Sequence, residues 1–91
     1  MFVYGYIYEI NKLKFDFKKI KEAVENEDVP CYFAKSRVNT LLKKEKRLKV
    51  VFQEMDAENE VINEINSLIY ETNQFLKDIV NIIDIERKTC L

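Results

Sequence analysis

The chain has 91 residues, enough for a single domain (residues 1–91) with a small apolar core. Its 15 basic and 16 acidic residues give a formal net charge of −1, and histidine is absent. Without histidine, the chain lacks the usual acid–base catalyst near neutral pH, and two cysteines do not supply a four-ligand zinc site. Since Gly5 is the only glycine, a glycine-rich phosphate loop is excluded. We therefore expect no enzyme activity, no metal and no cofactor.

The location of the protein is also constrained by its sequence. The N-terminal residues lack the basic region of a secretory signal peptide. No apolar run approaches the roughly 18 residues that a membrane-spanning helix needs. We therefore expect a cytoplasmic protein in which Cys31 and Cys90 remain free thiols.

The N-terminal third of the chain predicts a strand followed by a helix. In residues 2–10, aromatic and β-branched side chains fall alternately on the two faces of an extended chain. This pattern is typical of a strand. Residues 15–27 instead have helical spacing, with Phe17, Ile20 and Val24 on one face. Pro30 disfavours helical geometry at the residue before it, so the helix should end ahead of it.

The middle of the chain predicts two further strands. Residues 31–37 begin with aromatic side chains, and residues 48–54 alternate, with Leu48, Val50 and Phe52 on one face. These segments are natural partners for the strand at 2–10.

The C-terminal third predicts one long helix over residues 57–87, with Asp56 as its N-cap. Its apolar residues recur at spacings of three and four: Val61, Ile62, Ile65, Leu68, Ile69, Phe75, Leu76, Ile79, Val80, Ile82 and Ile83. Such a helix would be about 46 Å long, and its surplus apolar surface predicts a homodimer.

The predicted fold is therefore α+β: a small antiparallel sheet of 2–10, 31–37 and 48–54 packed by helices 15–27 and 57–87. One alternative treats residues 38–87 as a helix or a helical hairpin, because an unbroken seven-residue repeat passes through Leu41, Leu48, Met55, Ile62, Ile69, Leu76 and Ile83. We favour the strand at 48–54 because its composition is β-rich. In a second alternative, 81–87 forms a closing strand, which gives a ferredoxin-like βαββαβ fold.

Charge is segregated along the chain. Residues 35–49 contain seven basic residues and one acid, Glu45. Such a cluster attracts nucleic acid by releasing counterions, which makes a candidate site of Lys43, Lys44, Lys46, Arg47 and Lys49. The competing interpretation is that the basic segment packs against the acidic helix of the same chain.

An acidic surface follows, formed by Glu54, Asp56, Glu58, Glu60 and Glu64, and it could dock a basic protein partner. Our leading hypothesis is a non-catalytic protein-interaction module that binds stoichiometrically. It would be a small inhibitor or regulator of a larger macromolecular machine, of the kind found among accessory proteins of mobile elements. The alternative is a nucleic-acid-binding regulator that uses residues 35–49.

One short motif carries a resemblance to known nucleases. Tyr8-Glu9-Ile10, at the end of the predicted first strand, resembles the Tyr-Asp-Ile of Cas2-like and VapD-like ferredoxin folds, with Glu9 in place of the family's aspartate. The segment Val51-Phe52-Gln53-Glu54 is also similar, and the two segments together cover less than a tenth of the chain. The resemblance implies a third function, a divergent metal-dependent nuclease using Glu9.

Overall fold

The computed structural model describes the backbone of residues 3–89 and the side chains of residues 5–85. Over this range the chain forms three α-helices: α1 (Val3–Glu25), α2 (Cys31–Glu54) and α3 (Asn59–Thr89). The predicted α+β class is therefore wrong, since the segments expected to be strands at 3–10, 31–37 and 48–54 are all helical. The ferredoxin-like alternative is wrong for the same reason, because 81–87 also lies within α3.

Helix α1 contains residues 3–10 of the predicted first strand and most of the predicted helix 15–27; residue 2 lies outside the described residues. Its buried side chains follow a continuous helical spacing of four and three: Tyr6, Ile10, Leu13, Phe17 and Ile20. The tyrosines at alternate positions do not share one face of α1, because Tyr6 is buried whereas Tyr8 is 65% exposed. The apolar row therefore begins well before residue 15, where we had placed the start of the helix.

Helices α2 and α3 form an antiparallel hairpin. The alternative that treats residues 38–87 as a helical hairpin is therefore correct in its type of structure for this part of the chain. Phe52 faces the core together with Val38 and Leu41, whereas Val50, expected to share a face with Phe52, is 50% exposed. The seven-residue repeat is interrupted at Met55, which lies in the connection between the two helices. The predicted helix 57–87 corresponds to Asn59–Thr89.

The first two helices end in the same backbone motif. After α2, the amide of Asp56 donates to Gln53 O at 3.2 Å and that of Ala57 donates to Phe52 O at 2.9 Å. Asp56 has a left-handed φ of 53°, which identifies it as the residue that follows the helix in a Schellman motif. The prediction that Asp56 is the N-cap of α3 is therefore wrong. Glu27, with φ 57°, has the same place after α1.

The three helices alternate in direction and share one apolar core. Near one end, the ring of Tyr6 in α1 meets Phe52 of α2 edge to face at 4.9 Å; further along, Phe17 meets Phe75 of α3 at 5.7 Å. The interface between α2 and α3 is the most extensive, and that between α1 and α3 is the smallest. The bundle measures 53 × 19 × 16 Å and is open along the α1–α3 side.

In the part of the chain that the structure describes, no helix is both long enough and apolar enough to cross a membrane.

Candidate functional site

A groove of about 1090 Å³ lies between α1 and α3, and we call it the α1–α3 groove. It lies between the two helices that have the least extensive interface. Its apolar floor is formed by Ile10, Phe17, Val61 and Leu68, which are buried, and by Ile7, which is 44% exposed.

The two walls of the groove carry opposite charges. The α1 wall presents Lys14, Lys18 and Lys21, which follow the spacing of four and three that places residues on one side of a helix. Glu22 and Glu25 continue this wall toward the end of α1. The opposite wall carries four acids, Glu58, Glu60, Glu64 and Glu71, with the neutral Asn63 and Ser67 among them.

One salt bridge spans the groove. Lys14 Nζ lies 2.8 Å from Glu64 Oε2, and both side chains are about half exposed. Exposed pairs of this kind contribute about 0–1 kcal/mol, so the bridge is easily exchanged for contacts with a bound partner. It is the only salt bridge among the side chains that the structure describes.

The predicted acidic surface is only partly assembled. Glu58, Glu60 and Glu64 lie together on the groove wall. Glu54 is the last residue of α2, and Asp56 follows in the connection; both are exposed, and neither lines the groove. The sequence pointed to this acidic wall but missed the basic wall opposite, whose only signal was the spacing of Lys14, Lys18 and Lys21.

The predicted basic site lies on α2, away from the groove. Lys43, Lys44, Lys46 and Arg47 are exposed, and Lys49 is half-buried. The competing interpretation is that this segment packs against the acidic helix. Helix α2 does pack against α3, but no salt bridge joins these basic residues to α3 among the described residues.

The single acid of that segment, Glu45, is completely buried and faces α3. Thr72 Oγ1 lies 2.8 Å from Glu45 Oε2 and also 2.8 Å from the backbone oxygen of Leu68. Glu45 Oε1 has no hydrogen-bond partner among the described residues. A buried carboxylate with one unpaired oxygen is costly, so the environment favours the neutral acid.

The pKa of Glu45 reflects this environment. This pKa is raised from 4.5 to about 7 by three effects together: burial raises it most, the hydrogen bond from Thr72 lowers it, and the nearby carboxylate of Glu71 raises it. The hydroxyl of Thr72 has a single proton for two close acceptors. When Glu45 is protonated, its own O–H donates to Thr72 Oγ1, and Thr72 donates to Leu68 O, so that both short distances become hydrogen bonds. Sequence reasoning missed this pair.

The ferredoxin-like fold that the nuclease resemblance implies is not observed in the described part of the chain. Glu9 does not end a strand; it lies half-buried within α1. Within the described residues, no group of three or more His, Cys, Asp or Glu side chains is placed to hold a metal ion.

No family model, no curated protein and no solved structure matches this chain.

Proposed function

We propose that this chain is a non-catalytic interaction module that binds one amphipathic helix of a partner protein in the α1–α3 groove, with one-to-one stoichiometry. The observation that carries the proposal is an apolar floor between a row of three lysines on α1 and four glutamates on the opposite wall. Laying the apolar face of a helix into such a groove is a common mode of peptide recognition.

The size of the groove supports a helix rather than a small molecule. Its volume of about 1090 Å³ is at or above the upper end of the roughly 300–1000 Å³ typical of small-molecule sites. Along α1 it extends from Ile7 to Glu25, about 27 Å, and on the other side from Glu58, the residue before α3, to Glu71, about 20 Å. A helix of about 13 to 18 residues has this length, and its addition would turn three helices into a four-helix arrangement.

The charges of the walls define the chemistry of the partner helix. Its apolar stripe would contact the floor. An acidic row on one side would face Lys14, Lys18 and Lys21, and a basic row on the other would face Glu60, Glu64 and Glu71. A helix inserted in the reverse orientation would bring like charges together, so the walls would also select the direction of the bound helix.

By sequestering a helix that its partner needs elsewhere, such a module would act as a small inhibitor or regulator of a larger assembly. The proposal includes the cytoplasmic location expected from the sequence, which cell fractionation would test.

The test uses a matched pair of variants on α3. Asn63 and Asn66 are both exposed and lie one turn apart, but only Asn63 lines the groove. A display library of helical peptides with a fixed apolar stripe and randomised flanks should yield binders with one acidic and one basic row. Asn63→Trp should weaken these binders at least tenfold, and Asn66→Trp should not. Failure to enrich such peptides, or equal loss in both variants, would refute the proposal.

The predicted homodimer is a competing occupant of the same groove. Light scattering after size-exclusion chromatography measures the mass of the wild-type protein and of both variants. A dimer that Asn63→Trp dissociates and Asn66→Trp leaves intact would show that a second copy fills the groove, and it would overturn the assignment to a partner protein.

A further inference from the structure

The outer surface of α2 has an unusual distribution of charge. Between residues 35 and 49 the chain has seven basic residues and one acid, Glu45. Because Glu45 is 0% exposed, every charged side chain that this segment presents to solvent is positive. The central four, Lys43, Lys44, Lys46 and Arg47, are all exposed, and we call them the basic face.

The basic face is not neutralised within the molecule. None of its side chains forms a salt bridge with any residue from 5 to 85. The acids that approach it from α1 are Glu9 and Asp16, which line a recess of about 350 Å³ together with Lys44 and Arg47 but remain beyond salt-bridge distance. Lys43 and Arg47 are neighbours at i and i+4, where like charges destabilise a helix. A bound polyanion would remove this repulsion.

We propose that the basic face binds the phosphate backbone of duplex nucleic acid, as a function independent of the groove. The four residues of the basic face extend over about 6 Å of helix, which corresponds to about two base pairs of duplex. Lysine and arginine on a rigid helix supply backbone contacts, and these carry affinity but little sequence preference.

Duplex is favoured over a membrane surface because the apolar side of α2 is already committed to the core. Val38, Leu41 and Phe52 are buried there, and no exposed apolar side chain lies among the four residues of the basic face to insert between lipids. Duplex is favoured over single strands because no aromatic side chain lies among the four residues of the basic face. The exposed rings of Tyr32 and Phe33 are more than two turns away along α2.

The test compares two variants with the same change in net charge. One replaces Lys43, Lys44, Lys46 and Arg47 by glutamine, and the control replaces four lysines of α1 by glutamine: Lys14, Lys18, Lys19 and Lys21. Fluorescence anisotropy measures binding to a labelled 20-base-pair DNA duplex, with duplex RNA, single-stranded DNA and anionic lipid vesicles as further arms. Circular dichroism confirms that each variant is helical, and the double variant Lys43→Gln/Arg47→Gln replaces the first if it does not fold.

With about four phosphates neutralised, the logarithm of the association constant should fall with the logarithm of salt concentration at a slope of about −3.6. This corresponds to roughly a 100-fold loss of affinity between 50 and 200 mM NaCl. The α2 variant should lose at least tenfold in affinity at 50 mM NaCl, and the α1 control should retain most of its binding. Absence of duplex binding at 50 mM NaCl, equal losses in both variants, or tighter binding to single strands or vesicles would overturn the proposal. Asn63→Trp should leave duplex binding unchanged, which separates this result from the test of the groove.

Discussion

Replacing Glu45 by glutamine should change how the stability of the bundle depends on pH. Burial is the main cause that raises the pKa of Glu45 from 4.5 to about 7 in the folded protein. Between these two values the folded state holds a proton that the unfolded state has already released. The free energy of unfolding therefore falls as pH rises through this window, and the stabilisation by the protonated acid is complete only below pH 4.5.

The size of the effect follows from the same two values. A difference between 4.5 and about 7, at about 1.4 kcal/mol per pH unit, corresponds to about 3 kcal/mol. Most of this, about 2 to 3 kcal/mol, should be lost between pH 5 and pH 8. Small domains have total stabilities of about 5–15 kcal/mol, so the loss should be easy to detect.

Urea unfolding followed by circular dichroism at pH 5, 6, 7 and 8 measures this loss. The wild-type protein should become less stable than Glu45→Gln as pH rises, because the amide cannot ionise. Glu60→Gln removes the same charge from an exposed position on α3 and controls for the change in net charge. If the wild-type and Glu45→Gln profiles run parallel across this range, the carboxyl does not titrate in the core and the reasoning is wrong.

Four further predictions concern packing and helix structure, and each is measured by the same unfolding assay. Phe52→Ala removes a ring that is 1% exposed and should cost about 3–5 kcal/mol; a loss below 1 kcal/mol would contradict its place in the core. Val50→Ala, at a half-exposed helical position, should stabilise by a few tenths of a kcal/mol, whereas in a strand it would destabilise. Asp56→Gly relieves a φ of 53° and should gain up to about 1 kcal/mol; a loss would argue against the left-handed conformation. The double substitution Glu45→Leu/Thr72→Val should be more stable than wild type at pH 8, and equal or lower stability would show that the polar pair contributes net stability.

The errors in the predicted fold have a common cause. Alternation over a few residues is compatible with both a strand and a helix, and we assigned residues 2–10 and 48–54 from short windows. The longer row from Tyr6 through Ile10, Leu13, Phe17 and Ile20 has helical spacing throughout, and it was readable from the sequence. The predicted strands at 2–10 and 48–54 are wrong because the apolar residues continue beyond both segments at the helical spacing of three and four.

The candidate sites were predictable to different degrees. The basic segment and part of the acidic wall could be located because their charged residues are close together in the sequence. The groove could not, because it depends on how far apart α1 and α3 lie after both pack on α2. The burial of Glu45 could not be read from its neighbours either, since charged residues are almost never fully buried unless they are paired, and its partner is 27 residues away.

The pairing of Glu45 with Thr72 also bears on how this sequence specifies one arrangement of α2 against α3. Each helix contributes one polar residue to an otherwise apolar row, and the two lie opposite each other at 2.8 Å. If α3 slipped by one turn along α2, Glu45 would face an apolar side chain, and the hydroxyl of Thr72 would keep only its bond to Leu68 O. The buried carboxyl would then have no partner, at a cost of several kcal/mol. We infer that this pair lowers stability above pH 7 while fixing the register of the hairpin. The register in turn sets the position of the basic face along the bundle and the length over which the α1–α3 groove stays open.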